Sequence, residues 1–299
     1  MGEVGLGEPY ATLTLKDGRK LSYLEVGPPS GAAVFHFHGH GSSRLEALML
    51  EDAANTLGLR VLAFDRPGIG FSDPKDGDRL LGWPDDMAEA ADLLGIARFA
   101  VQGMSAGGPY ALACAHKLAP RIAACSLVSA VPPPEISRRA GPRARRLAWW
   151  IAARFPNYLR RRLQQFRPDG VPQEEMVRSR MLRVAHWLGG EDERLMQVAA
   201  LRNVLARTMM ETARQGGAGN RSEIERLVRP WGFDIAAIAV PRMFVWHGDE
   251  DRIMPVGPAR LMARVLADCT ATFYRREGHF SILVNRPHDL LGALRPAAD

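Results

Sequence analysis

The 299-residue sequence is almost without lysine. Lys16, Lys20, Lys75 and Lys117 are the only ones among 39 basic residues, so the net charge of +6 is carried by arginine. The arginines crowd most densely between Arg138 and Arg167, and no aromatic-interleaved nucleic-acid motif accompanies them. Nucleic acid is therefore not an expected partner. Cysteine is also scarce: Cys114, Cys125 and Cys269 lie far apart in apolar stretches without a C-x-x-C pair. They read as reduced core thiols and not as a metal or disulfide framework. No apolar run is long enough to span a bilayer, and the opening "MGEVGLGEPY" lacks the basic-then-apolar pattern of a secretory signal. A soluble cytoplasmic protein is expected, with a homodimer left open as an assembly.

What is present is an ordinary globular composition, 46% hydrophobic and 24% charged, on a chain long enough for one large core or a core with an insertion. "ATLTLKDGRKLSYLEV" reads as two strands joined at Asp17-Gly18. Strand-like "AAVFHFHG", "LRVLAF", "ARFAVQGM" and "RIAACSLVSA" then alternate with helix-like "LEALMLEDAANTLG", "PDDMAEAADLLG" and "AGGPYALACAHKLA". Such alternation implies a mostly parallel sheet with helices on both faces. From Pro132 to Trp231 the chain is helical, basic and strand-poor, with a flexible loop expected at "QGGAGN". Alternation returns with "VPRMFVWHG", "GPARLMARVLA" and "TATFYRREG". The organisation expected is an α/β core, 1–131 and 232–299, interrupted by a helical cap, 132–231.

Within this frame "VQGMSAGGPY" places Ser105 between a strand and a helix, with small residues at 103, 106 and 107. That is the setting of a nucleophile elbow, where a strained turn lifts a hydroxyl above the sheet's carboxyl edge. A serine hydroxyl needs a base, commonly a histidine oriented by a carboxylate. His279, after Gly278 at the end of a strand, is the candidate base. The acid falls in "HGDEDRIMP", where Asp249, Glu250 and Asp251 all occur. The N–H of Ala106, directly after the nucleophile, is one candidate oxyanion donor.

"FHFHGHGSSR", "DRPGIGFSD", "GMSAGGPYAL", "RPWGFD", "WHGDEDRIMP" and "EGHFS" together resemble a lidded protein of the α/β-hydrolase fold, in the family's order. The resemblance covers most of the core and is not carried by the insertion. It implies that the acid is Asp251, the aspartate before arginine, leaving Asp249 as a loop or capping carboxylate. It further implies that the N–H of His40 is the second oxyanion donor. A histidine is unusual there, and its side chain is placed to line a pocket.

Other features have plainer readings. His36, His38 and His40 would share one side of an extended strand, as metal ligands might, but Gly39 and Gly41 bend the chain and no fourth ligand is evident. His38 is read as a buttress of the oxyanion loop, and no metal or cofactor is expected. "DRPGIGFSD" lacks a phosphate-binding lysine and reads as a rigid turn near the site's rim. Trp149, Trp150, Ile151 and Phe155, flanked by arginines, form a lid face or a membrane-surface helix, the lid being preferred. Met176, Met181, Met196, Met209 and Met210 suit an adaptable apolar lining, and plain core packing accounts for them equally. The expected activity is hydrolysis of a small, fairly apolar carboxylic ester through an acyl-enzyme. Lactonase, C–C bond hydrolase, perhydrolase and aminopeptidase chemistry use the same triad, and a non-enzymatic ligand-binding protein could keep the fold.

Overall fold

The computed structural model describes residues 10–77, 79–140, 143 and 174–296. Strands β1 (Ala11–Thr14) and β2 (Lys20–Val26) form the hairpin expected around Asp17-Gly18. Gly18 sits there at φ +85°, a conformation that costs glycine little. The remaining strands are β3 (Ala32–Phe37), β4 (Leu59–Phe64), β5 (Phe99–Met104), β6 (Ile122–Val128), β7 (Met243–Gly248) and β8 (Cys269–Tyr274). They make one eight-stranded sheet in the order β1-β2-β4-β3-β5-β6-β7-β8. β1 and β2 are antiparallel to their neighbours, and β3 to β8 run parallel.

From β3 the chain steps to β4 on one side and later returns to β5 on the other, with Phe37 opposite Gly103. Loops leaving the carboxyl ends of β3 and β5 therefore diverge, and the crevice they leave is where open α/β sheets bind ligands. Alternation along the buried strands fills both faces. Phe35, Phe37 and Val101 pack with Met87 of α2 (Trp83–Leu93), Tyr110 of α3 (Gly107–Lys117) and Met262 of a later helix. Val34, Ala100 and Met104 face the opposite layer, with Ala53 and Ala54 of α1 (Glu51–Leu57). Phe35 stacks on Phe99 with ring centroids 4.1 Å apart and meets Phe64 edge-on at 4.9 Å.

Between β6 and β7 the described residues form no strand. They fold into α4 (Pro134–Ala140), α5 (Glu174–Leu188), α6 (Gly190–Gln197), α7 (Ala199–Ala213) and α8 (Ala218–Val228), a helical insertion in the α/β core. Val177, Met181, Ala185 and Leu188 recur at helical spacing along α5 and join Met196 and Leu205 in a separate apolar cluster. Ile253 and Phe280 of the core pack against that cluster. The core closes with α9 (Val256–Val265), α10 (Ser281–Asn285) and α11 (Pro287–Gly292).

Three local expectations need correction. "LEALMLEDAANTLG" is not one helix: a 3-10 segment, Arg44–Leu50, precedes α1, because Arg44 and Glu46 turn inward to buried partners. The stop at Gly58 is as expected, φ +66°. "QGGAGN" is a turn running into a helix and not an open loop. Gln215 donates to the carbonyls of Gly70 and Ser72 at 2.9 and 2.8 Å, and α8 begins at Ala218. A Cβ on Gly219 would lie 2.5 Å from the Gly68 oxygen, so this segment presses on the "DRPGIGFSD" turn. Met176 points outward, 59% exposed, whereas Met181 and Met196 are buried. The stretch from Trp149 to Phe155 lies outside the described residues.

Candidate active site

Ser105 leaves β5 at φ +52°, a left-handed conformation uncommon for a residue with a Cβ. The bend is fixed by backbone bonds: Ser105 N–H donates to the Val128 carbonyl at 2.8 Å, and Val131 N–H to the Ser105 carbonyl at 2.9 Å. It also requires bare neighbours. A Cβ on Gly103 would lie 2.4 Å from the Gly107 oxygen, and one on Gly107 only 1.9 Å from the Phe37 oxygen. Gly108 is constrained as well, since a Cβ on it would stand 2.4 Å from Ala130 Cβ. Nothing but hydrogen fits at these positions.

The acid loop follows β7 and the histidine loop follows β8. Asp251 Oδ2 accepts from His279 Nδ1 at 2.8 Å, and Asp251 Oδ1 accepts from the Met254 N–H at 2.6 Å. Both residues are buried, 4% and 3% exposed. Asp249 instead accepts from the Arg276 N–H at 2.8 Å in an exposed turn. Burial works against charge on His279, but the Asp251 carboxylate beside it, together with Asp192 and Glu46, holds the imidazole above its ordinary value. Burial would likewise raise Asp251, yet His279 holds its carboxyl below the usual carboxylate range.

Ser105 and His279 line one cavity of about 630 Å³, together with Gly39 and His40 of the loop after β3. Among the described residues the Ser105 hydroxyl and the His279 ring are not hydrogen-bonded to each other. Gly39 abuts the serine: a Cβ there would stand 3.5 Å from Ser105 Cβ. Ala106 heads α3, whose N-terminal N–H groups and dipole face this end of the sheet.

The three histidines do not converge. β3 ends at Phe37, so only His36 lies on the strand. His36 contacts Gln102 at 3.0 Å and Glu46 at 2.9 Å, while the other Glu46 oxygen accepts from the Gly39 N–H. His38 Nδ1 lies 2.8 Å from the Gly39 oxygen, and burial with nearby Arg66 pushes its imidazole down to about 3. His40 Nδ1 meets Glu223 Oε2 at 2.7 Å. Among the described residues no three metal-ligating side chains gather.

Two insertion residues were invisible to sequence reasoning. Glu223 of α8 is 1% exposed and binds both His40 and Arg66 Nε, the latter at 2.5 Å. Arg66 in turn donates to the carbonyls of His38 at 2.6 Å and Gly39 at 3.2 Å, bracing the loop after β3. Burial opposes the Glu223 charge, but Arg66 and His40 bring its carboxyl down to about 2. Asp192 of α6 accepts from the N–H groups of His279, Phe280 and Ser281 at 2.7, 3.0 and 2.8 Å. Both acids stand in helical stretches crowded with other charges, so no local pattern set them apart.

The cavity's described lining is largely apolar, with Met181, Leu188, Leu205, Ile224 and Ile253 among its walls. Its charged members are Glu46, Arg180 and Arg221, and Glu46 is already committed to His36 and Gly39. Among the described residues no helix is long and apolar enough to cross a membrane.

Against known proteins, the chain is 33% identical over 141 residues to a non-heme chloroperoxidase from Streptomyces lividans, covering 44% of this chain and 48% of that protein. It is 33% identical over 134 residues to a bifunctional esterase/perhydrolase from Acinetobacter calcoaceticus, with the same coverage of 44% and 48%. The chain thus spans about half the length of the curated relatives it matches. A solved hydrolase structure from Pseudomonas aeruginosa PA01 superposes with a TM-score of 0.69 at 21% identity, over 96% of this chain and 97% of that one. The family model described as the alpha/beta hydrolase fold matches residues 33–285. With the sheet order and the site at its switch point, this match establishes that the chain belongs to the alpha/beta hydrolase fold family.

Proposed function

We propose that the protein is a serine hydrolase that cleaves carboxylic esters. The observation that carries this reading is the 2.8 Å His279–Asp251 bond at the wall of the cavity onto which Ser105 opens. In the proposed reaction Ser105 Oγ attacks the ester carbonyl while His279 Nε2 takes its proton. The N–H groups of His40 and Ala106 receive the oxyanion. Collapse breaks the C–O bond, and His279 protonates the departing alcohol. Water, deprotonated by the same imidazole, then releases the acid and restores Ser105. Asp251 holds the Nδ1–H tautomer and stabilises the imidazolium that forms in each half.

A largely apolar wall suits a small, fairly apolar ester. No uncommitted carboxylate lines the described cavity to receive a substrate ammonium, which disfavours an aminopeptidase. Serine at the elbow, where dehalogenases and epoxide hydrolases of this fold carry aspartate, disfavours those chemistries. The relatives' names favour one second reading: hydrogen peroxide replacing water in the deacylation step, which would yield a peracid.

The test is hydrolysis of a short-chain nitrophenyl ester, with fluorophosphonate labelling of Ser105. Ser105→Ala should abolish both while leaving Tm within a few degrees, and turnover that persists in this variant would refute the assignment. A wild-type protein that neither labels nor turns over would support a ligand-binding role instead. Peracid formed from acetate and peroxide by wild type but not by Ser105→Ala would add the second activity.

A further inference from the structure

We propose that Asp192, supplied by the helical insertion, is a positioning residue for His279: its carboxylate holds the loop that aims the base at the cavity. The inference rests on the reading of His279 as the base. Its physical grounds are independent of that reading.

The N–H groups of His279, Phe280 and Ser281 head the short helix α10, and the first donors of any helix have no partner within it. Phe280 occupies the capping position and offers no side-chain acceptor. Asp192 fills the gap from a distant part of the chain, Oδ2 taking the His279 N–H and Oδ1 those of Phe280 and Ser281. It is 1% exposed; burial pushes its carboxyl above the usual carboxylate range, while the three N–H donors and nearby His279 pull the other way and favour the charged form. Gly278 keeps the approach open, because a Cβ there would stand 2.4 Å from Asp192 Cγ.

The corner between α5 and α6 also bears on the acid loop. Gly189 and Gly190 adopt φ +63° and +54°, and a Cβ on Gly189 would lie 2.7 Å from the Arg252 guanidinium carbon. Arg252, next to Asp251 in the chain, donates to the Trp187 carbonyl at 3.0 Å. One corner of the insertion therefore touches the loops of both the acid and the base. The placement of His279 depends on that corner being seated, and small displacements of reacting groups are costly in rate.

The charge matters as well as the contacts. The groups facing His279 are His247 of β7, Asp251 from the loop that follows it, Glu46 from the 3-10 segment, and Asp192 from α6. Glu277 of its own loop is paired with Arg286. Removing the Asp192 charge destabilises the imidazolium, so the acid limb of activity moves to lower pH.

The experiment compares Asp192→Asn and Gly278→Ala with Glu211→Gln in steady-state hydrolysis of a nitrophenyl ester. Glu211 anchors α7 to Arg44 at 2.7 Å, away from both loops. The expected result for Asp192→Asn is a kcat lower by about tenfold to a hundredfold, with KM within about threefold and the acid limb of kcat/KM displaced to lower pH. Gly278→Ala, which pushes the carboxylate off the loop without removing it, should lower kcat with KM unchanged. Glu211→Gln should lower Tm yet keep the wild-type kcat and acid limb. All are assayed where circular dichroism shows full folding, so Gly278→Ala carries the test if Asp192→Asn does not fold. Wild-type kcat and acid limb in Asp192→Asn, or an equal kcat loss in Glu211→Gln, would overturn the proposal. Wild type that resists fluorophosphonate, or His279→Ala that retains labelling, would instead overturn the reading beneath it.

Discussion

Replacing Asp251 with asparagine changes one oxygen into an NH₂ group of nearly the same size, so the loop after β7 keeps its shape. The amide oxygen retains the bond from the Met254 N–H, which is 2.6 Å long in the parent. That leaves the NH₂ facing His279 Nδ1, where the carboxylate oxygen stood at 2.8 Å. An amide donor there forces Nδ1 to accept, so the ring proton moves to Nε2, the nitrogen that must take the proton of Ser105. The variant thus holds the imidazole in the wrong tautomer and also loses the negative charge that stabilises the imidazolium. Carboxylate-to-amide changes of this kind lower kcat roughly ten-thousandfold, or about 5 kcal/mol of transition-state stabilisation. Asp249→Asn is the matched control. Its carboxylate meets only the Arg276 N–H in an exposed turn, and an amide oxygen can still accept there, so kcat should stay within about threefold. Burst and steady-state kinetics on a nitrophenyl ester, beside thermal melts, measure both. An Asp251→Asn enzyme within tenfold of wild type, or an Asp249→Asn enzyme more impaired than it, would refute the assignment.

Three other outcomes are expected. His279 is held above its ordinary value, and its protonated form cannot act as a base. Activity should therefore be lost as pH falls, with the midpoint of the acid limb in kcat/KM above about 6.5; a midpoint below 6 would contradict this. Gly107→Ala forces a methyl group against the Phe37 carbonyl, 1.9 Å away on the present backbone. It should destabilise by about 1–3 kcal/mol, read in a chemical melt, and disturb the elbow enough to reduce fluorophosphonate labelling. With Arg180 and Arg221 lining the cavity, a choline-type cationic ester should react about tenfold more slowly than its isosteric neutral analogue, and the gap should narrow in salt.

The parts of this molecule legible from sequence are those with local physical signatures. Short, largely apolar runs such as "VFHF" and "RFAVQ" between helix-like stretches marked buried strands, and glycine packing around Ser105 marked a turn that admits no side chain. The parts that stayed hidden join residues far apart in the chain. Nothing near Asp192 shows that it serves the N–H groups of residues 279–281, 87 and more positions away. Likewise the alternation of His36, His38 and His40 suggested a shared face because periodicity assumes the strand continues. Where β3 ended, after Phe37, was set by Arg66 and Glu46 gripping the next residues. The 3-10 start before α1 was missed for a related reason: helix spacing is read from apolar positions, and here buried Arg44 and Glu46 shape the first turns.

Arg66 has a consequence for engineering. Its guanidinium is rooted in the core, 1% exposed, yet the carboxylate that neutralises it, Glu223, arrives from α8. Arg44 similarly shares its charge between Asp65 in the core and Glu211 in α7. A chimera that grafts a foreign cap onto this sheet would strand a cation in a dry interior, at about 3–5 kcal/mol for a broken buried pair. Transplantation should succeed only with caps that bring an acid to the same spot, or after Arg66 is exchanged for an apolar residue of similar volume.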